Sequence, residues 1–139
     1  MKVIVDTSVW SLFLRRDCTF NNEHVAELRE LIRELRVQMI GPIRQELLSG
    51  IPSKTQFEQL KGHLAAFPDL ELTTADYERA ALFFNINRGK GIQGSNTDFL
   101  ICAVSVHHDM AILTTDEDFT GFQKNIPIKL HRPRMEVLK

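Results

Sequence analysis

The sequence predicts an α/β domain in which helices cover both faces of a central parallel sheet. Short apolar runs, such as residues 3–5 and 110–114, alternate along the chain with longer segments whose apolar residues recur at helical spacing. This alternation is typical of parallel sheets, because a helix usually makes each crossover between parallel strands. The 139 residues are close to the usual size of one domain, and no repeat, low-complexity tract or linker divides them. We therefore interpret residues 1–139 as a single domain.

The predicted elements follow one another closely along the chain. In the first half, a strand at 3–5 precedes helices at 8–14 and 23–36, and a strand at 37–40 precedes helices at 42–49 and from 53 to about 67. In the second half, a strand at 70–72 precedes helices from 74 to about 88 and at 96–108, and a strand at 110–114 precedes a short helix at 118–124. The last element is an edge strand at 128–130. Capping signals set several of these boundaries. Asn21 or Asn22 is suited to cap the amphipathic second helix, and Ser53 to cap the fourth. Pro42 suits the first position of the third helix, and Gly50 suits its C-terminal stop.

Composition restricts the class of protein without naming its function. The chain is 43% hydrophobic and 25% charged, as is ordinary for a globular domain, and its net charge of −1 gives no basic excess of the kind that nucleic-acid binders usually show. The longest nearly apolar run, 99–106, is far too short to cross a bilayer, and Asp6 comes too early for a signal peptide. Cys18 and Cys102 form no C-x-x-C pair. We expect a protein of the reducing cytoplasm, with no membrane contact.

Four acids occupy positions where they could meet. Asp6 directly follows the first strand, and Asp116 follows the strand at 110–114. Glu46 lies at the border of the apolar stripe of the third helix, which predicts that it points toward protein, and Asp98 lies in the first turn of the most apolar helix. The carboxyl ends of parallel strands share one edge of a sheet, where α/β proteins bind their ligands. A carboxylate cluster at that edge is therefore predicted.

Such a cluster has an energetic consequence. Two carboxylates ~4 Å apart repel each other by about 4 kcal/mol at an effective dielectric constant of 20, and a whole domain is stable by only about 5–15 kcal/mol. The cluster must therefore take up protons or bind a cation, and oxygen ligands without histidine or cysteine favour Mg²⁺ or Mn²⁺ over Zn²⁺.

Each acid also has a purely structural interpretation, which stays open at this point. Ser95 with Asp98, and Thr115 with Asp118, fit capping boxes. Glu46 could be an ordinary exposed helical residue, and Asp6 a turn residue.

Four stretches of sequence together resemble a known family. They are VIVDTSVW at 3–10, PIRQEL at 42–47, NTDFLICA at 96–103 and LTTDEDF at 113–119. In this order and in a chain this short, they resemble PIN-domain ribonucleases, and among these the VapC toxins of bacterial toxin–antitoxin pairs. The resemblance covers nearly the whole chain.

The resemblance implies a three-layer α/β/α sandwich around the parallel sheet. Four residues match the family's acidic quartet: Asp6, Glu46, Asp98 and Asp116. Three further residues match accessory positions, namely a hydroxyl near the metal and an additional acid: Thr7, Ser8 and Asp118. The implied activity is Mg²⁺-dependent cleavage of a structured RNA of the tRNA or ribosomal RNA class, with Mn²⁺ as a substitute ion. The implied partners are a small antitoxin and a second copy of the chain in a homodimer.

The chemistry is coherent on the residues themselves. A metal held by Asp6, Asp98 and Asp116 would acidify a bound water and polarise a phosphoryl oxygen, and Glu46 would complete the shell, orient the water or help to hold a second metal. Five basic residues are candidate RNA contacts: Arg15, Arg16, Arg44, Arg88 and Lys90. We expect the antitoxin to lie along the apolar residues near Trp10 and Phe13 and to place an Arg or Lys against Asp6, Asp98 or Asp116.

Other classes that use acids at strand ends fit less well. A haloacid-dehalogenase-type phosphatase needs a second Asp two residues after Asp6, where Ser8 stands. A response-regulator receiver needs an Asp after its third strand, but the candidate strand at 70–72 is followed by Thr73. No phosphate loop with the required Gly-Lys-Ser/Thr spacing is present.

Two further interpretations remain. A catalytically silent PIN-like module that binds RNA or protein is the main alternative from another class, and the intact acidic quartet argues against it. His107 and His108 could suggest a metal site, but adjacent helical residues point about 100° apart, and the helix dipole alone explains histidines at a helix C-terminus.

Overall fold

A computed structural model of the protein describes residues 1–15 and 22–134. Within them, four parallel strands form a sheet in the order β3-β2-β1-β4, and helices flank it. The elements in chain order are β1 (Val3–Val5), α1 (Thr7–Leu14), α2 (Glu23–Arg33), β2 (Val37–Ile40), α3 (Gly41–Leu48), α4 (Lys54–Leu64), β3 (Asp69–Leu70), α5 (Thr74–Gly89), α6 (Asn96–His108), β4 (Ala111–Leu113) and α7 (Asp118–Gln123). The predicted α/β class with a central parallel sheet is confirmed.

The pairing of β1 with β4 places the carboxyl ends of these two strands next to each other. All three residues of β1 are buried, which explains its uninterrupted apolar sequence. It pairs with β2 on one side and with β4 on the other, and in the second pairing Val5 lies opposite Leu113. The residues that follow these two, Asp6 and Thr114, therefore leave the sheet side by side.

Several predicted boundaries were wrong. The helix predicted at 23–36 ends at Arg33, because Leu35 adopts the left-handed conformation with φ of 58°. The helix predicted to extend to about 67 ends at Leu64, and the strand predicted at 70–72 is Asp69–Leu70.

The predicted edge strand at 128–130 is reduced to one parallel bridge between Leu130 and Ile112. Ile112 donates its N–H to the carbonyl of Lys129 (2.9 Å) and accepts from the N–H of His131 (2.7 Å). Pro127 and Pro133 bracket this short contact, and proline has no N–H to extend a ladder.

The helix α6 has the predicted bounds, and aromatic packing fixes where it begins. Phe99 and Phe122 are fully buried and pack with ring centroids 4.8 Å apart. Gly94 lies against both rings, just before the N-cap residue Ser95. A Cβ atom at position 94 would lie 2.6 Å from Cζ of Phe122 and 2.9 Å from Cε2 of Phe99. Glycine at this position therefore lets α6 start close to the core.

None of the helices in the described ranges has the length and apolar character needed to cross a membrane. Cys102 is buried, as expected of a small core residue, whereas Cys18 and Asn21 lie outside the described residues.

We expect Gly94→Ala to lower the free energy of unfolding by about 1–3 kcal/mol, because the added methyl group overpacks a buried aromatic contact. Chemical denaturation monitored by circular dichroism measures this. Gly62→Ala is the matched control, since a Cβ atom there meets nothing within 4 Å in the helix α4; it should stabilise by about 0.5–1 kcal/mol. Equal effects of the two substitutions would contradict the packing argument.

Candidate active site

Asp6 is a buried carboxylate held by hydroxyl groups. It is only 5% exposed, and its Oδ2 accepts hydrogen bonds from Ser8 Oγ (2.8 Å) and Thr114 Oγ1 (2.7 Å). It occupies the N-cap position of α1, yet its side chain makes no capping bond. Helix capping therefore does not account for an acid here, and the two hydroxyls hold the Asp6 carboxylate in place.

The same hydroxyls join the ends of β1 and β4. Ser8 Oγ lies 3.3 Å from Thr114 Oγ1 and accepts from the N–H of Thr115 (3.2 Å). Thr114 Oγ1 in turn accepts from the N–H of Asp116 (2.9 Å). Sequence reasoning missed Thr114, although the pairing of the strands places it beside Asp6.

Glu46 lies on the exposed side of α3. The prediction that it points toward protein was wrong, because the apolar stripe of α3 is carried by Ile43 and Leu47, which are buried. Its Oε1 nevertheless accepts a hydrogen bond of 2.6 Å from Thr7 Oγ1, at the first position of α1. This contact fixes Glu46 beside the residue that follows Asp6.

Asp98 combines a structural and an electrostatic role. Its Oδ2 accepts from the N–H of Ser95 (3.0 Å), and Ser95 Oγ accepts from the N–H of Asp98 (3.0 Å), so the predicted capping box is present. Burial raises the pKa of the Asp98 carboxyl, and the negative charges of Asp6 and Asp116 raise it further. The hydrogen bonds with Ser95 lower it, but the net result is a pKa above the usual value of an aspartate. Asp98 therefore caps α6 and also experiences both other acids.

Asp116 makes a local bond in the turn before α7. Its Oδ1 accepts from the N–H of Asp118 (2.9 Å). The predicted capping box of Thr115 with Asp118 was wrong: the N-cap residue of α7 is Glu117, which makes no side-chain capping bond, and Asp118 is the exposed first residue of the helix.

The negative charges of Asp6 and Asp116 both act on Asp98. Among the described residues, the ligand atoms of these three acids do not form a group within 4.8 Å of one another. Besides the effect on Asp98, the pKa of the Cys102 thiol is raised by burial and then by the negative charges of Asp98 and Asp6. Among the described residues, no Lys or Arg forms an ion pair with Asp6, Asp98 or Asp116. The available donors are carboxylate and hydroxyl oxygens, a set that fits a hard divalent cation such as Mg²⁺ or Mn²⁺.

A second group of residues that could bind a metal lies at the other end of α6. Asp76, His107 and His108 have potential ligand atoms that all lie within 4.8 Å of one another. His107 Nδ1 is 2.7 Å from Asp76 Oδ1, and the two imidazole rings are 4.2 Å apart. The angular argument against convergence of the two histidines was therefore wrong: both residues belong to α6, and yet their rings lie close together. His107 lies nine positions after Asp98 along α6, a rise of roughly 14 Å.

The predicted RNA contacts have different surroundings. Arg44 donates to Asp69 Oδ1 (3.0 Å) and to the carbonyls of Leu64 (3.0 Å) and Phe67, so its guanidinium group connects the end of α4 with β3. Arg88 stacks over the ring of Phe84 at 5.5 Å.

The other three RNA candidates are Arg15, Lys90 and Arg16. Arg15 lines a cleft of about 670 Å³ together with Glu46, and Lys90 is exposed at the end of α5. Arg16 lies outside the described residues.

Comparison with known proteins identifies relatives of the chain. It matches the family model of the PIN domain over residues 3–125. The VapC ribonuclease Mb1587 of Mycobacterium bovis and the ribonuclease VapC11 of Mycobacterium tuberculosis are each 30% identical to it over 122 residues, which is 84% of this chain and 88% of theirs.

Solved structures share the fold over nearly all of the chain. FitAcB from Neisseria gonorrhoeae has a TM-score of 0.73 at 22% identity, over 94% of this chain and 97% of that one. VapBC2 from Rickettsia felis, bound to a DNA fragment from its promoter, has a TM-score of 0.74 at 15% identity, over 94% and 98%. At these identities the structural matches support the fold alone.

We expect Asp116→Asn to raise the melting temperature of the metal-free protein by the few degrees that correspond to about 1 kcal/mol. The substitution removes a charge that acts on Asp98, while the Asn side chain can still accept from the N–H of Asp118. Thermal melting in EDTA at neutral pH measures the change. Addition of Mn²⁺ should then stabilise the variant less than the wild type, since an ion that binds the folded state stabilises by mass action.

The matched control is Asp118→Asn, which removes the same charge from an exposed side chain two residues away. It should leave the melting temperature in EDTA nearly unchanged. If Asp116→Asn instead melts lower in EDTA and Mn²⁺ protects it as well as the wild type, Asp116 serves only the local turn.

Proposed function

The chain belongs to the PIN-domain family and, at 30% identity over most of its length, to the VapC ribonucleases; we propose that it is a metal-dependent endoribonuclease, the toxin of a toxin–antitoxin pair. The observation that supports the proposal is that the charges of Asp6 and Asp116 act on Asp98, while none of the three acids forms an ion pair with a Lys or Arg among the described residues. A nuclease can use this arrangement, because a divalent cation offsets the repulsion.

We assign the acids separate tasks in holding the ion. Asp6, Asp98 and Asp116 would bind Mg²⁺, for which Mn²⁺ would substitute. The hydroxyls of Ser8 and Thr114 occupy Oδ2 of Asp6, and the N–H of Ser95 occupies Oδ2 of Asp98. In both residues Oδ1 receives no hydrogen bond from the described side chains and backbone, and is available to a cation. Such an ion supplies water of lowered pKa and Lewis-acid polarisation of a phosphoryl oxygen.

Glu46 and the accessory residues complete the proposed chemistry. Thr7 holds one oxygen of Glu46, whose other oxygen could accept a proton from the attacking water. Asp118 is exposed next to the site and would contribute at most indirectly. In-line attack on the phosphodiester would leave a 5′-phosphate and a 3′-hydroxyl, and the proposed substrates are structured RNAs of the tRNA or ribosomal RNA class. An RNA substrate of this class also places the protein in the cytoplasm.

The proposed partners are a small antitoxin and a second copy of the chain. The antitoxin surface expected at Trp10 and Phe13 needs correction at Trp10, which is 1% exposed and packs against Phe13 and Phe67, whereas Phe13 is half-buried. The cleft that Glu46 shares with Arg15 is the nearest alternative, since Leu14, Leu47 and Leu60 also line it. Apolar antitoxin residues there would bring a basic side chain within reach of the acids.

For the homodimer, two exposed large apolar side chains on α5 are the residues that a second copy could cover: Tyr77 and Leu82.

The alternative function is a catalytically silent PIN-like module that binds RNA or protein. It predicts that the acids can be neutralised without loss of function, whereas the ribonuclease proposal requires their charge. Cleavage assays separate the two.

We expect the purified protein to cleave structured RNA in Mg²⁺ or Mn²⁺ and to stop when EDTA is added. Asp6→Asn and Asp98→Asn should each lower the rate by more than the roughly 10–100-fold that loss of an outer-sphere partner of a metal site costs. Asp109→Asn is the control, because Asp109 lies at the opposite end of α6 in a left-handed conformation that Asn tolerates. Gel assays on a tRNA pool measure the rates, and robust cleavage by Asp6→Asn would falsify the metal mechanism.

A further inference from the structure

A polar cleft opens beside Asp116, away from the cleft that contains Glu46. It has a volume of about 490 Å³ and is lined by the end of β4, by α7, by the start of α2 and by the segment 130–133. Thr114, Thr115 and Asp116 lie on its wall, so the cleft is continuous with the acidic site.

Two cations that have no partner among the described residues face this cleft. Lys124 and Arg132 both line it, both are exposed, and neither forms an ion pair or a hydrogen bond through its side chain with another described residue. By contrast, Arg44 is paired with Asp69 and Arg134 with Glu34. Lys124 and Arg132 therefore retain positive charge that contacts within the described structure do not use.

A buried carboxylate fixes the segment that carries Arg132. Glu27 is 1% exposed, and its Oε2 lies 2.5 Å from Nε2 of His131 and accepts from Nε of Arg134 at 2.8 Å. Oε1 of Glu27 also accepts from the backbone N–H of Arg134 (3.3 Å). The side chains on either side of Arg132 thus turn toward Glu27, while Arg132 itself lies on the cleft wall. Arg132 is therefore an exposed cation on a segment that the contacts with Glu27 hold in place.

We propose that this cleft binds the RNA backbone on one side of the cleaved phosphate, with Lys124 and Arg132 each neutralising a phosphate. The inference rests on the proposed function and extends it, because it assigns a path for the substrate that the sequence did not indicate. Glu117 is the one described acid besides Asp116 on the cleft wall, and it is exposed, so the two cations offset it.

RNA fits the cleft better than a segment of the antitoxin does. An antitoxin segment that inhibits by placing an Arg or Lys against Asp116 would bring its positive charge close to Lys124 and Arg132. Like charges at close range repel, whereas phosphates at the same positions release counterions and gain affinity. The cleft on the Glu46 side, with its leucines, has no such cost for a protein.

Salt dependence of RNA binding tests the proposal. The measurement uses Asp98→Asn protein, to prevent cleavage, with fluorescein-labelled oligouridine at a fixed low MgCl₂ concentration, and follows Kd by anisotropy as KCl is raised. Lys124→Gln and Arg132→Gln should each weaken binding several-fold at low salt. Each should also reduce the slope of log Kd against log salt by about 0.7, the value for one phosphate contact on a single strand.

Arg79→Gln is the matched control, since it removes one positive charge from an exposed position on α5 that does not line the cleft. It should leave the slope unchanged. Slopes that fall equally in all three variants would show a net-charge effect and overturn the proposal, as would slopes that do not change in either cleft variant. Loss of affinity for a co-expressed antitoxin, with RNA binding intact, would instead assign the cleft to the protein partner and also overturn it.

Cleavage assays keep this inference separate from the ribonuclease proposal. With Asp98 intact, Lys124→Gln should raise KM and leave kcat unchanged, because it removes substrate binding and leaves the acids in place. If the wild type cleaves no RNA while the slopes still fall as expected, the cleft binds RNA and the ribonuclease proposal is wrong. If the wild type cleaves and the slopes do not change, the ribonuclease proposal stands and the RNA takes another path.

Discussion

The repulsion that the charges of Asp6 and Asp116 exert on the carboxyl group of Asp98 is the constraint that organises this end of the molecule. Each acid lies on a different element, and parallel pairing of β1 with β4 together with the start of α6 brings their charges together. The fold tolerates this because hydroxyl and amide groups donate to the acids from within the protein. A cation bound to the folded protein would offset the remaining repulsion and so stabilise the fold by mass action.

The acids differ in how much local structure depends on them. Asp98 closes the capping box of α6, so that replacing it changes a helix end as well as a charge. Asp6 occupies a cap position without capping, and its burial is explained only by its contacts with Ser8 and Thr114. Asp116 lies between these cases, because its bond to the backbone of Asp118 survives substitution by Asn. Charge and local structure can therefore be separated most cleanly at Asp116.

Local signals made much of this structure predictable. The bounds of α6 followed from the Ser95–Asp98 pair and an apolar run, and the shared edge of Asp6 and Asp116 followed from strand order. The sequence could not show contacts between residues that are far apart along the chain. Arg44 resembled a free surface cation, but Asp69 and two carbonyls from the α4–β3 connection bind it.

The same limit applied to the residues that support the site. Thr114 gains its role only from the register of β1 against β4, which no local pattern specifies. Arg132 lies on a cleft wall because Glu27, more than a hundred positions earlier, binds its neighbours His131 and Arg134. The rings of His107 and His108 lie 4.2 Å apart although both residues belong to α6, so the angle between adjacent helical positions did not predict their contact. Thr114 and Arg132 owe their positions to contacts that are distant along the chain.

The central claim is that Asp98 experiences the charges of its acidic neighbours, and a carboxyl-carbon NMR titration of Asp98 in the metal-free protein tests it directly. In the wild type, the pKa of Asp98 should lie above that of an ordinary aspartate, because burial and the charges of Asp6 and Asp116 disfavour its ionised form. In Asp6→Asn protein the pKa should fall, since one of those charges is gone while the Ser95 hydrogen bonds remain. An Asp98 pKa that is the same in both proteins would mean that the carboxylates do not interact, and would contradict the claim that their charges converge on one metal site.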